Sequence, residues 1–141
     1  MTGETDLGKM LAALRPQLRD EQYVFCTMAN GRYGDHPEME PIASFMEAEG
    51  LTLVIPQSRA DEHGIVYEGV FRCITLSVHS SLAAVGLTAV VATQLAKHAI
   101  SANVIAAFYH DHVFVSAHHA DAALAALQAL GTTRTQGIEK E

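Results

Sequence analysis

The alternation of apolar and polar positions divides the chain into short elements. Leu7, Met10, Leu11 and Leu14 recur at helical spacing, with Asp6 placed to cap the start and Pro16 to end the run. Gln22–Met28 is rich in Tyr, Val, Phe, Cys and Thr and predicts a strand, and Asn30–Pro41, with Gly31, Gly34 and Pro37, predicts a loop. Ile42–Ala48 and Leu51–Ile55 are two β-like runs around Glu49-Gly50, as in a tight hairpin. Ser58-Arg-Ala-Asp61 fits a capping-box start for a helix of one or two turns that stops at Gly64.

The second half is more regular. Along Val70–His79, Ile74, Leu76 and Val78 fall on one side and Cys73, Thr75, Ser77 and His79 on the other, as in a strand with one apolar face. Ser80–Val85 leads into a helix reaching about His98, with Leu87, Val90, Val91 and Leu95 on one stripe. Ile100–Tyr109 predicts a strand, His110-Asp111 a two-residue turn and His112–Ser116 the returning strand. A last helix over Ala120–Leu130 turns Ala123, Leu124, Leu127 and Leu130 inward, and the polar tail after Gly131 predicts a short strand or a frayed end. Strand, helix, strand, strand, helix is most of a ferredoxin-like βαββαβ unit, and the first half reads as a degraded or permuted copy. The expected fold is α+β, an antiparallel sheet with helices on one face, in two units spanning 1–66 and 67–141.

Composition narrows the function. The chain has 141 residues, 49% hydrophobic, with 9 basic against 16 acidic residues and no Trp. A net charge of −7 without a Lys/Arg cluster excludes nucleic acid and anionic membrane surfaces as partners. Cys26 and Cys73 sit inside apolar runs and read as buried, reduced thiols. The opening residues lack the basic and apolar segments of a signal peptide, and the apolar run 82–96 is too short and too interrupted to span a bilayer, so a cytoplasmic location is expected.

Several residues could carry chemistry. A metal site needs three or four convergent ligands. His110 and His112 lie about 20 Å along the strand from His118 and His119, so no metal is expected. No phosphate loop or nucleophile motif is present, and His79 and Ser80 point to opposite faces of a strand, so neither catalysis nor a cofactor is expected.

The stretch His79–Ile105 resembles an ACT domain. A Gly opens the first helix at Gly86, a Leu-Ala step at Leu95-Ala96 leads to Ile100, and Asn103 follows in the next strand. The runs Tyr23–Cys26, Glu49–Val54, Val78–Ser81, Ala84–Thr88 and His110–Val115 resemble small stand-alone proteins of two ACT-like units, and Asp111-His112 is similar to a turn in cytosolic amino-acid sensors. The resemblance implies binding of a small molecule, an amino acid, at the seam between ACT units, and pairing as a homodimer. The expected ligand contacts are Ser80, Ser81, Val85, Gly86, Leu87 and Thr88 at the helix start, with Asn103, His110 and Asp111. A helix start offers unpaired amides and the positive dipole end to a carboxylate. Structural alternatives stay open. Ser80 or Ser81 serves as a cap, Gly86 relieves packing, Asn103 bonds a neighbouring loop, and Asp111 suits a turn. The alternative function is a ligand-free oligomerisation module on the same fold.

Overall fold

The computed structural model describes residues 6–78 and 86–140, with side chains through 131. By internal contacts the chain forms two compact units, one of residues 1–19 and 73–141 and one of 20–72. They are called the helical unit and the hairpin unit below.

The helical unit begins with α1 (Leu7–Ala13), whose N-cap Asp6 accepts a hydrogen bond from the Lys9 N–H at 2.9 Å. Strand β1 (Pro16–Met28) follows and is longer than the sequence pattern predicts, because its polar first half gives no alternation signal. Its first four residues belong to this unit and lie beside β4 (Phe71–Leu76), with the Ser77 N–H donating to the Arg15 carbonyl. Then come α3 (Leu87–Lys97), β5 (Asn103–Ala106), β6 (Asp111–Ser116) and α4 (Ala120–Lys140). The strand order, with the start of β1 at one edge, is β1-β4-β6-β5.

One core joins these elements. Met10, Leu11 and Leu14 of the first helical segment meet Ile74 and Leu76 of β4, Leu87, Val91 and Leu95 of α3, Val113 and Val115 of β6, and Ala123 and Leu127 of α4. The helices therefore cover the sheet face that Ile74 and Val113 share, as the alternation in β4 predicts. The Gln94 side-chain amide donates to the Ala126 carbonyl at 2.9 Å and ties α3 to α4. Helix α4 does not stop at Gly131 but runs on to Lys140, which corrects the expectation of a short strand or a frayed tail. Gly131 is there for space, since a Cβ would lie 3.1 Å from the Leu11 carbonyl oxygen.

The hairpin unit contains the rest of β1, β2 (Ala43–Glu47), β3 (Gly50–Pro56) and α2 (Gln57–Glu62), in the order β2-β3-β1. Both pairings are antiparallel, with Cys26 opposite Leu53 and Ser44 opposite Leu53 on the other side. Val24, Cys26, Leu51, Leu53, Ile55, Met39 and Ala60 form its core. The hairpin forms, but its two turn residues are Ala48 and Glu49, one position before the Glu49-Gly50 expected, and Gly50 opens β3 opposite Glu47. Gly50 has φ +151°, and a Cβ would lie 2.8 Å from the Met28 carbonyl oxygen. The capping box at Ser58 does not form. Helix α2 starts one residue earlier, behind Pro56, without a side-chain cap, because Pro56 with its fixed φ turns the chain directly out of β3.

Candidate functional site

The pairing of β5 with β6 decides where the expected ligand residues fall. Asn103 lies opposite Phe114 and Ala106 opposite Asp111. The Ala107 N–H donates to the His110 carbonyl at 3.0 Å, so the turn residues are Phe108 and Tyr109. This corrects the turn expected at His110-Asp111. The polar pair lies in the returning limb, and Asp111 opens β6. A shift of two residues keeps every side chain on its face, so hydrophobic alternation cannot detect it. The two turn residues stand 64% and 62% exposed, their rings edge to face at 5.0 Å.

The end of the unit at which Asp111 stands can be fixed from neighbours. His112 Nδ1 lies 3.0 Å from Thr75 Oγ1, so the last residues of β4 meet the first residues of β6. Ser77 bonds Arg15 at the same end. Helix α3 has eleven residues, about 16 Å, and finishes at Lys97 shortly before Asn103. Its C-terminus therefore lies toward Asn103, and its N-terminus toward Ala106 and Asp111. Gly86, Leu87 and Thr88 are thus brought to the end of the unit that carries His110 and Asp111. Asn103 is not. It starts β5 at the opposite end, about 10 Å along the strand, and its carboxamide donates to the Phe114 carbonyl at 3.2 Å. Ser80, Ser81 and Val85 lie outside the described residues.

The start of α3 has the electrostatics of an anion site. Gly86 holds φ +103° at the N-cap, supplies no side-chain cap, and no acidic residue occupies the first turn. The positive dipole end is thus uncompensated by α3's own side chains. The same glycine also has a packing role, because its missing Cβ would sit 3.2 Å from Leu7 Cδ2 of α1.

The hairpin side is polar and partly desolvated. Burial pushes the Asp111 carboxyl above its ordinary value, against the pull of His112 and His110. The His110 Nδ1 atom is buried without a hydrogen-bond partner. Burial pushes the His112 imidazole below its ordinary value, with Arg19 and His110 adding to the effect and Asp111 opposing it.

Two groups escaped the sequence reading. Arg15 stands at this same end, its guanidinium donating to the Ala12 and Leu14 carbonyls at 3.3 and 2.9 Å. Its only signal was its place between the first helix and the first strand. Thr75 and His112 meet on the face that the helices leave uncovered, and alternation in both strands puts them there without revealing that they touch. Cys26 and Cys73 are free and buried, and burial pushes both thiols up. Among the described residues no cluster of three or more His, Cys, Asp or Glu could hold a metal ion, and no helix is long and apolar enough to cross a membrane.

Comparison with known proteins places this arrangement. A Vibrio cholerae protein of unknown function, described as a possible transport protein, is 50% identical in sequence and superposes with a TM-score of 0.81, over 89% of this chain and 95% of that one. The regulatory subunit of aspartate kinase from Thermus thermophilus, in its ligand-free form, shares 11% identity and a TM-score of 0.59, over 82% of this chain and 95% of that one. An Agrobacterium tumefaciens protein shares 15% identity and a TM-score of 0.64, over 84% and 89%. At these last two identities the likeness shows the fold alone. No curated protein matches the chain. ACT-domain sequence models match residues 2–72 and 68–129 in tandem. With its α+β ferredoxin-like fold and two consecutive matches that together span nearly its whole length, the chain belongs to the ACT-domain family.

Proposed function

We propose that this protein is a regulatory sensor that binds a free amino acid and does no chemistry on it. The observation that carries the reading is the uncapped start of α3, which stands at the same end of its unit as His110 and Asp111. An amino acid has the matching charges. Its carboxylate suits the amides of Leu87 and Thr88 that open α3 behind Gly86, with Ser80, Ser81 and Val85 of the preceding sequence as further proposed contacts. Its ammonium suits Asp111, and the bare Nδ1 of His110 gains a partner. Such a ligand also lowers the cost of ionising Asp111, whose charge is disfavoured in the free protein. Asn103, at the far end of β5 with its carboxamide bonded to the Phe114 carbonyl, lies outside this group of contacts. Placement of the ligand at a seam, a homodimer and a cytoplasmic location belong to this proposal. The aspartate kinase regulatory subunit is a fold relative in keeping with a regulatory role.

A self-pairing module without a ligand is the second reading. Two observations favour it: Leu7 packs against Gly86, and the Asn103 carboxamide is engaged by Phe114. Two-dimensional amide NMR with each proteinogenic amino acid separates the readings. Sensor function predicts shifts at Leu87, Thr88, His110 and Asp111 with one amino acid or a chemically related group, and about tenfold weaker binding for Asp111→Asn. A protein that pairs but shows no shift with any amino acid is a scaffold.

A further inference from the structure

The hairpin unit contains a cleft of about 540 Å³ between the loop after β1 and the β2–β3 hairpin. That volume is in the range of small-molecule sites. Ile42, Leu51 and Leu53 supply apolar walls, and Tyr33, Asp35 and Glu40 line it from the loop. The loop's course is fixed by hydrogen bonds. Asp35 Oδ2 accepts from the Arg32 N–H at 2.9 Å, the Asp35 N–H donates to the Arg32 carbonyl at 2.9 Å, and the Ile42 N–H donates to the Val54 carbonyl at 2.8 Å.

The charges in the cleft are unequal in status. Glu40 is neutralised by Arg59, whose guanidinium donates to both its carboxylate oxygens at 3.0 and 3.3 Å. Asp35 has no ion pair among the described residues. Among the described residues no Lys, Arg or His lines the cleft. Tyr33, which lines the same cleft as Asp35, is 81% exposed and leaves most of its ring open to solvent.

We propose that this cleft binds a small organic cation, a primary amine with an aromatic or aliphatic body. The ammonium pairs with Asp35, within reach of the Tyr33 ring face, and the body lies along Ile42 and Leu53. A free amino acid is a poor occupant, because its carboxylate would meet the unpaired Asp35 while the nearby Arg59 is already engaged by Glu40. This site is therefore distinct in place and in ligand charge from the one proposed at α3.

The test uses the full chain and three probes of one shape: tyramine, its alcohol analogue 2-(4-hydroxyphenyl)ethanol, and 4-hydroxyphenylacetate. Amide NMR should show tyramine shifting Gly34, Asp35 and Ala43 with a dissociation constant of about 1 mM or tighter. The alcohol should bind about tenfold more weakly and the carboxylate not at all. Asp35→Asn keeps an oxygen for the Arg32 N–H and should weaken tyramine about tenfold. Tyr33→Ala removes an exposed ring that the fold does not need and should weaken tyramine about two- to fivefold. Equal binding of the three probes, unchanged affinity in Asp35→Asn, or no shift with tyramine up to about 10 mM overturns the proposal. None of these outcomes bears on the amides of Leu87 and Thr88, so failure here leaves the amino-acid site to its own experiment.

Discussion

The two hairpins of this protein make their turns in opposite ways. The β2–β3 hairpin reverses at Ala48-Glu49 and enters β3 through Gly50, where φ is +151° and the Met28 carbonyl leaves no room for a Cβ. Backbone geometry dictates that glycine. The β5–β6 hairpin reverses at Phe108 and Tyr109, two largely exposed aromatic side chains set edge to face, with the Tyr109 ring also tilted against His110. Gly, Asn and Asp would serve that turn better. The first turn is built for folding. The second carries two exposed aromatics in place of the usual turn residues, at the end of the unit where Asp111 and the unpartnered His110 Nδ1 stand.

Substitutions can break this contrast. Gly50→Ala should have the largest effect, a loss of about 1–3 kcal/mol in denaturant unfolding, since the residue would combine a strained φ with a backbone clash. The double change Phe108→Asn with Tyr109→Gly should be far milder, within about 1 kcal/mol of wild type and of either sign, because it installs a favoured hairpin turn. If the aromatic pair costs as much to replace as Gly50, it is structural and the contrast fails.

A smaller effect concerns pH. The His112 imidazole, desolvated beside Thr75, has a folded value below its ordinary 6.5. In acid the unfolded chain therefore takes up its proton first. Its contribution to stability is complete above about pH 6.5 and is lost as pH falls toward the folded value. The melting temperature should drop over that window, and His112→Gln should flatten the drop. A slope unchanged by the substitution would assign the acid sensitivity to other groups.

Most of the helical unit was legible because its helices and strands have clean periodicity. The stripe Leu87, Val91, Leu95 and the pair Ile74, Leu76 are buried as the pattern requires. What escaped notice escaped for physical reasons. The first half of β1 is polar, so a period of two has nothing to mark. Gly131 reads as a helix stop, but at that position it relieves contact with the Leu11 carbonyl inside a continuing helix. In β5–β6, polar residues look like a turn and aromatic ones like a strand, and the structure reverses both assignments. At the candidate site, Gly86 at the head of α3 was legible. The Leu7 contact behind it, the approach of Thr75 to His112 and the placement of Arg15 depend on tertiary packing that no local pattern encodes.

Thermal melting of the full chain against each proteinogenic amino acid tests the central claim most directly. At about 100 times its dissociation constant, the true ligand should add about 2.7 kcal/mol to the stability of the folded state and raise the melting temperature by several degrees. A melting temperature that stays fixed with every amino acid at millimolar concentration would contradict the claim and leave a protein that uses this fold only to pair.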